Sequence, residues 1–164
     1  MGIVWGGVER ELYAFFKSKG LCNNGIFGLF GNLYAESGMK PGNLQNSSEK
    51  KLGLTDEAYT AAVDSGNYKN FVHDSAGYGL AQWTYWSRKE AMLAFHQAKG
   101  ASIGDALTQA EFLYKELSEG YKSVLSVLKT AASIREASDA VLLQFERPAD
   151  QSPWSRFALG WCQC

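Results

Sequence analysis

The chain has 164 residues, is 46% hydrophobic and 20% charged, and carries a net charge of −1. That suffices for one globular domain with a sizeable core. It excludes a basic field for holding nucleic acid, and no apolar run approaches the ~20 residues of a membrane span.

The start, Met1-Gly2-Ile3-Val4-Trp5-Gly6-Gly7, has no basic region leading into a long apolar stretch, so no signal peptide is visible. With the end at Trp161-Cys162-Gln163-Cys164, this suggests a single domain over 1–164 excised from a larger chain. The cysteines, Cys22, Cys162 and Cys164, make no disulfide framework. Cys162-x-Cys164 lacks the second half of a metal site, because His73 and His96 stand alone. No metal or cofactor is expected. The 5 Trp, 8 Tyr and 9 Phe suit a rich core or a carbohydrate cleft.

In chain order, Glu9–Ser18 reads as a first helix, ended near Gly20. Asn23 or Asn24 can cap a second, Gly25–Glu36. There Ile26, Leu29, Phe30 and Leu33 fall at i, i+3, i+4 and i+7, an apolar stripe. Gly25, Gly28 and Gly31 recur every third residue, each weakening the helix by ~1 kcal/mol relative to alanine. Their spacing on nearly one face predicts another backbone pressed close. Ser37-Gly38-Met39-Lys40-Pro41-Gly42-Asn43 stops this helix, and a polar stretch to about Leu54 follows.

Thr55 caps a short helix through about Val63, and Ser65-Gly66-Asn67 reads as a turn. Asp74–Thr84 is glycine-rich, a loop or short hairpin. Ser87-x-x-Glu90 is a capping box for a helix reaching Lys99. Asp105–Leu117 carries Ala106, Ala110, Leu113 and Leu117 on one face, and Tyr121–Leu128 continues or restarts that helix. Ser133-x-x-Glu136 is a second capping box, with Ile134, Ala137, Val141 and Phe145 as the buried stripe. Pro148 ends that helix, and Pro153 opens a short last one. The fold class is mainly α, with at most a small β-hairpin region between about residues 40 and 85.

Two segments carry chemistry. Glu36 follows Leu29 by seven residues and Leu33 by three, so it shares their face at the helix end. A carboxyl bordered there by leucine and the ring of Tyr34 or a neighbour loses hydration, and the C-terminal dipole also disfavours its charge. Both effects predict a raised pKa and a protonated acid, as glycosidic cleavage requires. On spacing alone, an exposed helix-end glutamate is the commoner reading. Gly77-Tyr78-Gly79-Leu80-Ala81-Gln82-Trp83-Thr84 combines close backbone approach, an amide that donates and accepts, and the rings of Tyr78 and Trp83 with apolar faces and polar edges. A hairpin with core-filling aromatics is the competing reading. His73-Asp74 lacks a partner nucleophile, and Phe145-Glu146-Arg147-Pro148 reads as a local ion pair or as the rim of a cleft.

Gly31-Asn32-Leu33-Tyr34-Ala35-Glu36-Ser37, Pro41-Gly42, Gly77 through Thr84, and Phe145-Glu146-Arg147-Pro148-Ala149 together resemble, in order, the phage tail-tip lysozyme family. The Glu-Ser and Gly-Leu-x-Gln pair is also similar to goose-type lysozymes and lytic transglycosylases. The resemblance implies a lysozyme-like helical domain that cleaves the β-1,4 bond between N-acetylmuramic acid and N-acetylglucosamine. It maps the catalytic acid onto Glu36 and a substrate-contacting glutamine onto Gln82. Ser37, Tyr78, Trp83 and Thr84 complete the expected substrate-binding set. Asp74 and Glu146 are the favoured second carboxylates, with Glu49, Asp56 and Asp64 as further candidates.

Lytic transglycosylases usually carry an Ala-Tyr-Asn motif late in the chain, where this sequence reads Phe145-Glu146-Arg147-Pro148. Attack by water and by the muramic 6-hydroxyl both stay open. A non-catalytic glycan-binding or tail-structural module is the rival from another class. The implied partners are peptidoglycan glycan strands and other tail or wall-targeting domains, at an extracellular or virion-associated location.

Overall fold

The computed structural model describes residues 5–146, with the Glu146 side chain excluded. Pro148, Pro153, Cys162 and Cys164 lie outside this range. Eight α-helices follow in order: α1 Gly7–Ser18, α2 Asn23–Ser37, α3 Asn46–Leu52, α4 Asp56–Asp64, α5 Trp86–Lys99, α6 Ala106–Gly120, α7 Lys122–Thr130 and α8 Ile134–Ala140. A π-helical turn, Val141–Glu146, continues α8. Among the described residues there is no strand. The 40–85 region holds two isolated antiparallel bridges, Leu44 with Tyr78 and Tyr78 with Trp83.

Helix α2 is the central element, packed against α1, α7, α8 and the π-helical turn. Ile26, Leu29, Phe30 and Leu33 are fully buried, as their stripe predicts. The glycines allow backbone contact. A Cβ on Gly25 would lie 1.8 Å from the Leu128 carbonyl oxygen, and one on Gly28 would lie 2.6 Å from the Ser138 nitrogen. Asn32 completes the seam: its amide donates to the Gly28 carbonyl at 3.0 Å and the Ser138 carbonyl at 3.1 Å.

Several helix ends differ from expectation. The cap of α2 is Cys22, whose Sγ accepts from the Gly25 N–H, rather than Asn23 or Asn24. Helix α3 occupies a stretch expected to be irregular; its few apolar residues give no periodicity to read. Helix α5 begins at Trp86 after Tyr85, with no side-chain cap, so Ser87 sits inside the first turn. Thr55, Asp105 and Ser133 cap α4, α6 and α8. Helix α7 restarts after a break at Tyr121.

Candidate active site

Helix α2 ends where Gly38 turns left-handed, at φ 63°, and its N–H returns to the Tyr34 carbonyl. Glu36 therefore sits in the last turn, half-buried. It lines a pocket of about 410 Å³ with Ser37, Asn43, Gln45, Asn46, Ser47 and Gln82. That volume is in the range of small-ligand sites. Glu36 and Gln82, forty-six positions apart in the chain, thus share one recess.

The two sides of this pocket are tied together by buried polar groups. Ser37 Oγ donates toward the Leu33 carbonyl at 3.0 Å and the Leu80 carbonyl at 2.9 Å, joining the end of α2 to the glycine-rich loop. Ser37 lines the pocket, but its hydroxyl proton is committed to this link. Gln82 has φ +47°, rare for a residue with a side chain. That conformation lets its Nε2 donate to the Asn43 carbonyl at 3.0 Å and the Gly79 carbonyl at 3.1 Å. Gly77 lies against it: a Cβ there would fall 2.8 Å from Gln82 Oε1 and 3.2 Å from Thr84 Oγ1. Thr84 is exposed, and its hydroxyl donates to the Gln82 carbonyl.

Gln109 on α6 carries no signal in the sequence, where it is one polar residue among helix formers. It is fully buried. Its Oε1 accepts from the Leu80 N–H at 2.9 Å, while Nε2 donates to the Pro41 and Ile103 carbonyls at 2.6 and 2.7 Å. One amide thus fixes the loop, the segment after α2 and the α5–α6 connection. Nothing local in the sequence signals a contact spanning sixty-eight positions.

Several expected roles are corrected. Tyr78 and Trp83 are fully buried, so their rings offer no face to a sugar. The Tyr78 hydroxyl meets Thr60 Oγ1 at 2.6 Å, and burial raises its pKa above the ordinary tyrosine value. Trp83 Nε1 donates to Glu116 at 2.9 Å, and Glu116 is held in turn by a bidentate contact from Arg88. The border expected around Glu36 also differs. Tyr34 is 53% exposed, and the pocket lining at Glu36 is polar, with Leu29 and Leu33 turned into the core.

Asp74 is not placed to direct a water. Its side chain is 2% exposed, and both oxygens are engaged. Oδ1 accepts from Lys89 Nζ at 2.6 Å and the Ala76 N–H at 2.9 Å; Oδ2 accepts from the Tyr59 and Tyr68 hydroxyls at 2.6 and 3.1 Å. Lys89, itself fully buried, also donates to the Ala76 carbonyl at 2.8 Å. Burial lowers the Lys89 pKa against the opposing pull of Asp74. Burial, then the bond to Asp74, raises Tyr59 far above the ordinary tyrosine range. This is a structural brace that lies next to the loop.

Asp56 and Asp64 are engaged as well. Asp56 accepts from the Leu44 N–H, and Asp64 from the Ser102 hydroxyl and the Ile103 N–H. Both line a separate recess of about 700 Å³ with Lys40, Glu57 and Asp105. That recess is larger than the Glu36 pocket, but its aspartates are occupied in holding backbone. Glu49, in the first turn of α3, is not among the residues lining the Glu36 pocket. The Glu146 side chain lies outside the described residues. Among the described residues lining the pocket, Glu36 is the sole titratable group.

A helical domain with one carboxylate set against a glutamine-bearing loop has the form of a lysozyme-like glycosidase. The sequence matches the family model described as phage tail lysozyme over residues 7–158, and the chain belongs to that family. It is a lysozyme-like enzyme of the bacterial cell wall, associated with phage. No curated protein matches the chain. No helix among the described residues is long and apolar enough to cross a membrane.

Proposed function

We propose that the chain cleaves the β-1,4 bond between N-acetylmuramic acid and N-acetylglucosamine in peptidoglycan, with Glu36 as the general acid. The observation that carries this is the shared pocket of Glu36 and Gln82. A glycan strand lies in that recess. The Glu36 carboxyl gives its proton to the bridging oxygen, the bond to the anomeric carbon breaks, and positive charge develops on that carbon. Gln82 has Nε2 engaged by backbone, which fixes its amide plane. Its Oε1 is left to accept from a sugar hydroxyl or N-acetyl N–H. Asn43, Gln45, Asn46 and Ser47 supply further hydrogen bonds along the lining.

In hydrolysis, a water attacks the anomeric carbon and returns a proton to Glu36. An inverting or direct retaining mechanism needs a second carboxylate ~6.5–9.5 or ~5–5.5 Å from the first. Among the described residues lining the pocket there is no second one. This favours assistance from the substrate itself, and keeps a second outcome in play: attack by the muramic 6-hydroxyl, as in a lytic transglycosylase. The enzyme acts from the virion at the wall, without a cofactor.

Mass spectrometry of fragments released from purified peptidoglycan tests this reading. A reducing-end muramic acid is expected for hydrolysis of the named bond, and a 1,6-anhydromuramic end for transglycosylation. A reducing-end glucosamine, or no release of fragments, overturns the assignment.

A further inference from the structure

The Glu36 pocket is lined by polar side chains, with no aromatic ring among them. A pyranose ring has an apolar face as well as hydroxyls, and aromatic side chains match it. The two aromatics expected to do this, Tyr78 and Trp83, are in the core. Immediately after them the chain exposes two others. Tyr85 is 63% exposed and Trp86 47%. Their ring centroids are 6.1 Å apart, and the ring of the exposed His73 lies 6.1 Å from Trp86 at an interplanar angle of 31°. Single exposed aromatics are ordinary, but Trp86 with a ring on either side, His73 and Tyr85, forms a continuous apolar surface.

This ridge is close to the pocket and rigidly held. Tyr85 is three residues beyond Gln82, so its Cα is within about 11 Å of that of Gln82. Thr84 ties the intervening chain to the Gln82 carbonyl. The Tyr85 carbonyl accepts from the Arg88 and Lys89 N–H groups as α5 begins. The buried Asp74–Lys89 pair then clamps both sides of the ridge: Asp74 follows His73, and Lys89 lies one helical turn after Trp86. The backbone that carries the rings is therefore ordered before any ligand arrives, which limits the ordering cost of binding.

We propose that Tyr85 and Trp86, flanked by His73, form a stacking subsite for a neighbouring sugar of the same glycan strand that enters the Glu36 pocket. This rests on the glycosidase reading and extends it: the pocket orients the scissile linkage, and the ridge binds the strand beyond it. Stacking there contributes ground-state binding and leaves the chemical step to Glu36.

The test compares wild type with Tyr85→Ala, Trp86→Ala and Trp86→Phe on soluble glycan strands stripped of their stem peptides. Steady-state kinetics and equilibrium binding of the strands are both measured, and circular dichroism checks the fold. Each alanine variant is expected to raise KM and weaken binding roughly 3- to 10-fold with kcat nearly kept, and Trp86→Phe to restore most of the loss. Wild-type KM and wild-type strand binding in both alanine variants would overturn the proposal. If wild type cleaves nothing, the glycosidase reading falls by itself, and the binding arm still decides the ridge. Loss of binding in the alanine variants supports it, and unchanged binding refutes it.

Discussion

The helical layer around α2 and the irregular face made by residues 38–45 and 74–85 are built on opposite plans. The first is held by shape. Apolar side chains fill its core, and Gly25 and Gly28 let α7 and α8 touch the α2 backbone. The second has two bridges and no sheet; it too buries Leu44, Tyr78, Leu80 and Trp83, but its segments are tied by isolated backbone bonds, such as the Gly79 N–H to the Asn43 carbonyl, and by buried polar side chains that arrive from helices, Ser37, Lys89 and Gln109. Packing makes a platform, and a few hydrogen bonds set the geometry of the edge that bears the candidate site. Damage to the first should act through unfolding alone, and damage to the second should lower activity by more than unfolding explains.

The largest expected effect is in the packed layer. Gly25→Val drives side-chain atoms into the Leu128 carbonyl, which helix backbone cannot yield, and should cost about 4 kcal/mol or more, read by urea denaturation. Next is Lys89→Met, which leaves the Asp74 carboxylate buried without its cation. A loss of about 3 kcal/mol is expected. Adding Asp74→Asn should cost less than the sum of the two single changes, as a double-mutant cycle would record.

Gln109→Leu sharpens the contrast. It strands the Leu80 N–H and two carbonyls, with an expected loss of about 2 kcal/mol. Because the Gln82 loop then shifts against Glu36, wall-lysing activity should fall on the order of 100-fold in protein that is still folded. Activity that merely tracks the folded fraction would refute the division between platform and edge.

The smallest effect is a pH dependence. His96 is fully buried and its Nδ1 lies 2.8 Å from the Ser102 carbonyl. A carbonyl only accepts, so Nδ1 carries the proton, and the buried Nε2 has no partner. Burial lowers the ring's pKa, against the pull of the Ser102 carbonyl and the charges of Asp105, Asp64 and Glu111. The folded ring therefore takes up a proton less readily than the unfolded one. Its contribution to stability is intact above about pH 6.5 and is lost as pH falls below that value. The urea midpoint should fall further between pH 7 and pH 5 in wild type than in His96→Gln.

What was legible in the sequence follows the same division. The apolar stripe and glycine spacing of α2, and the caps Thr55 and Ser133, are local patterns that the structure follows. The pairing of Glu36 with the Gln82 loop was expected from resemblance, since no periodicity relates them. The fate of Tyr78 and Trp83 was not legible. Composition gives an aromatic residue in a glycine-rich loop equal reason to face a sugar or the core, and contacts from Thr60 and Glu116 decide it. Asp74 misled for a related reason: its cation, Lys89, comes from a helix whose sequence pattern gives no sign of it.

The proposed cleavage turns on the carboxyl of Glu36. Glu36→Gln keeps the size of that side chain and removes its ability to deliver a proton to the glycosidic oxygen. On purified peptidoglycan, turbidity should fall with wild type and stay level, within about 1% of that rate, with the variant, while circular dichroism and urea midpoint match wild type. Clearing of the suspension by Glu36→Gln at the wild-type rate would contradict the account.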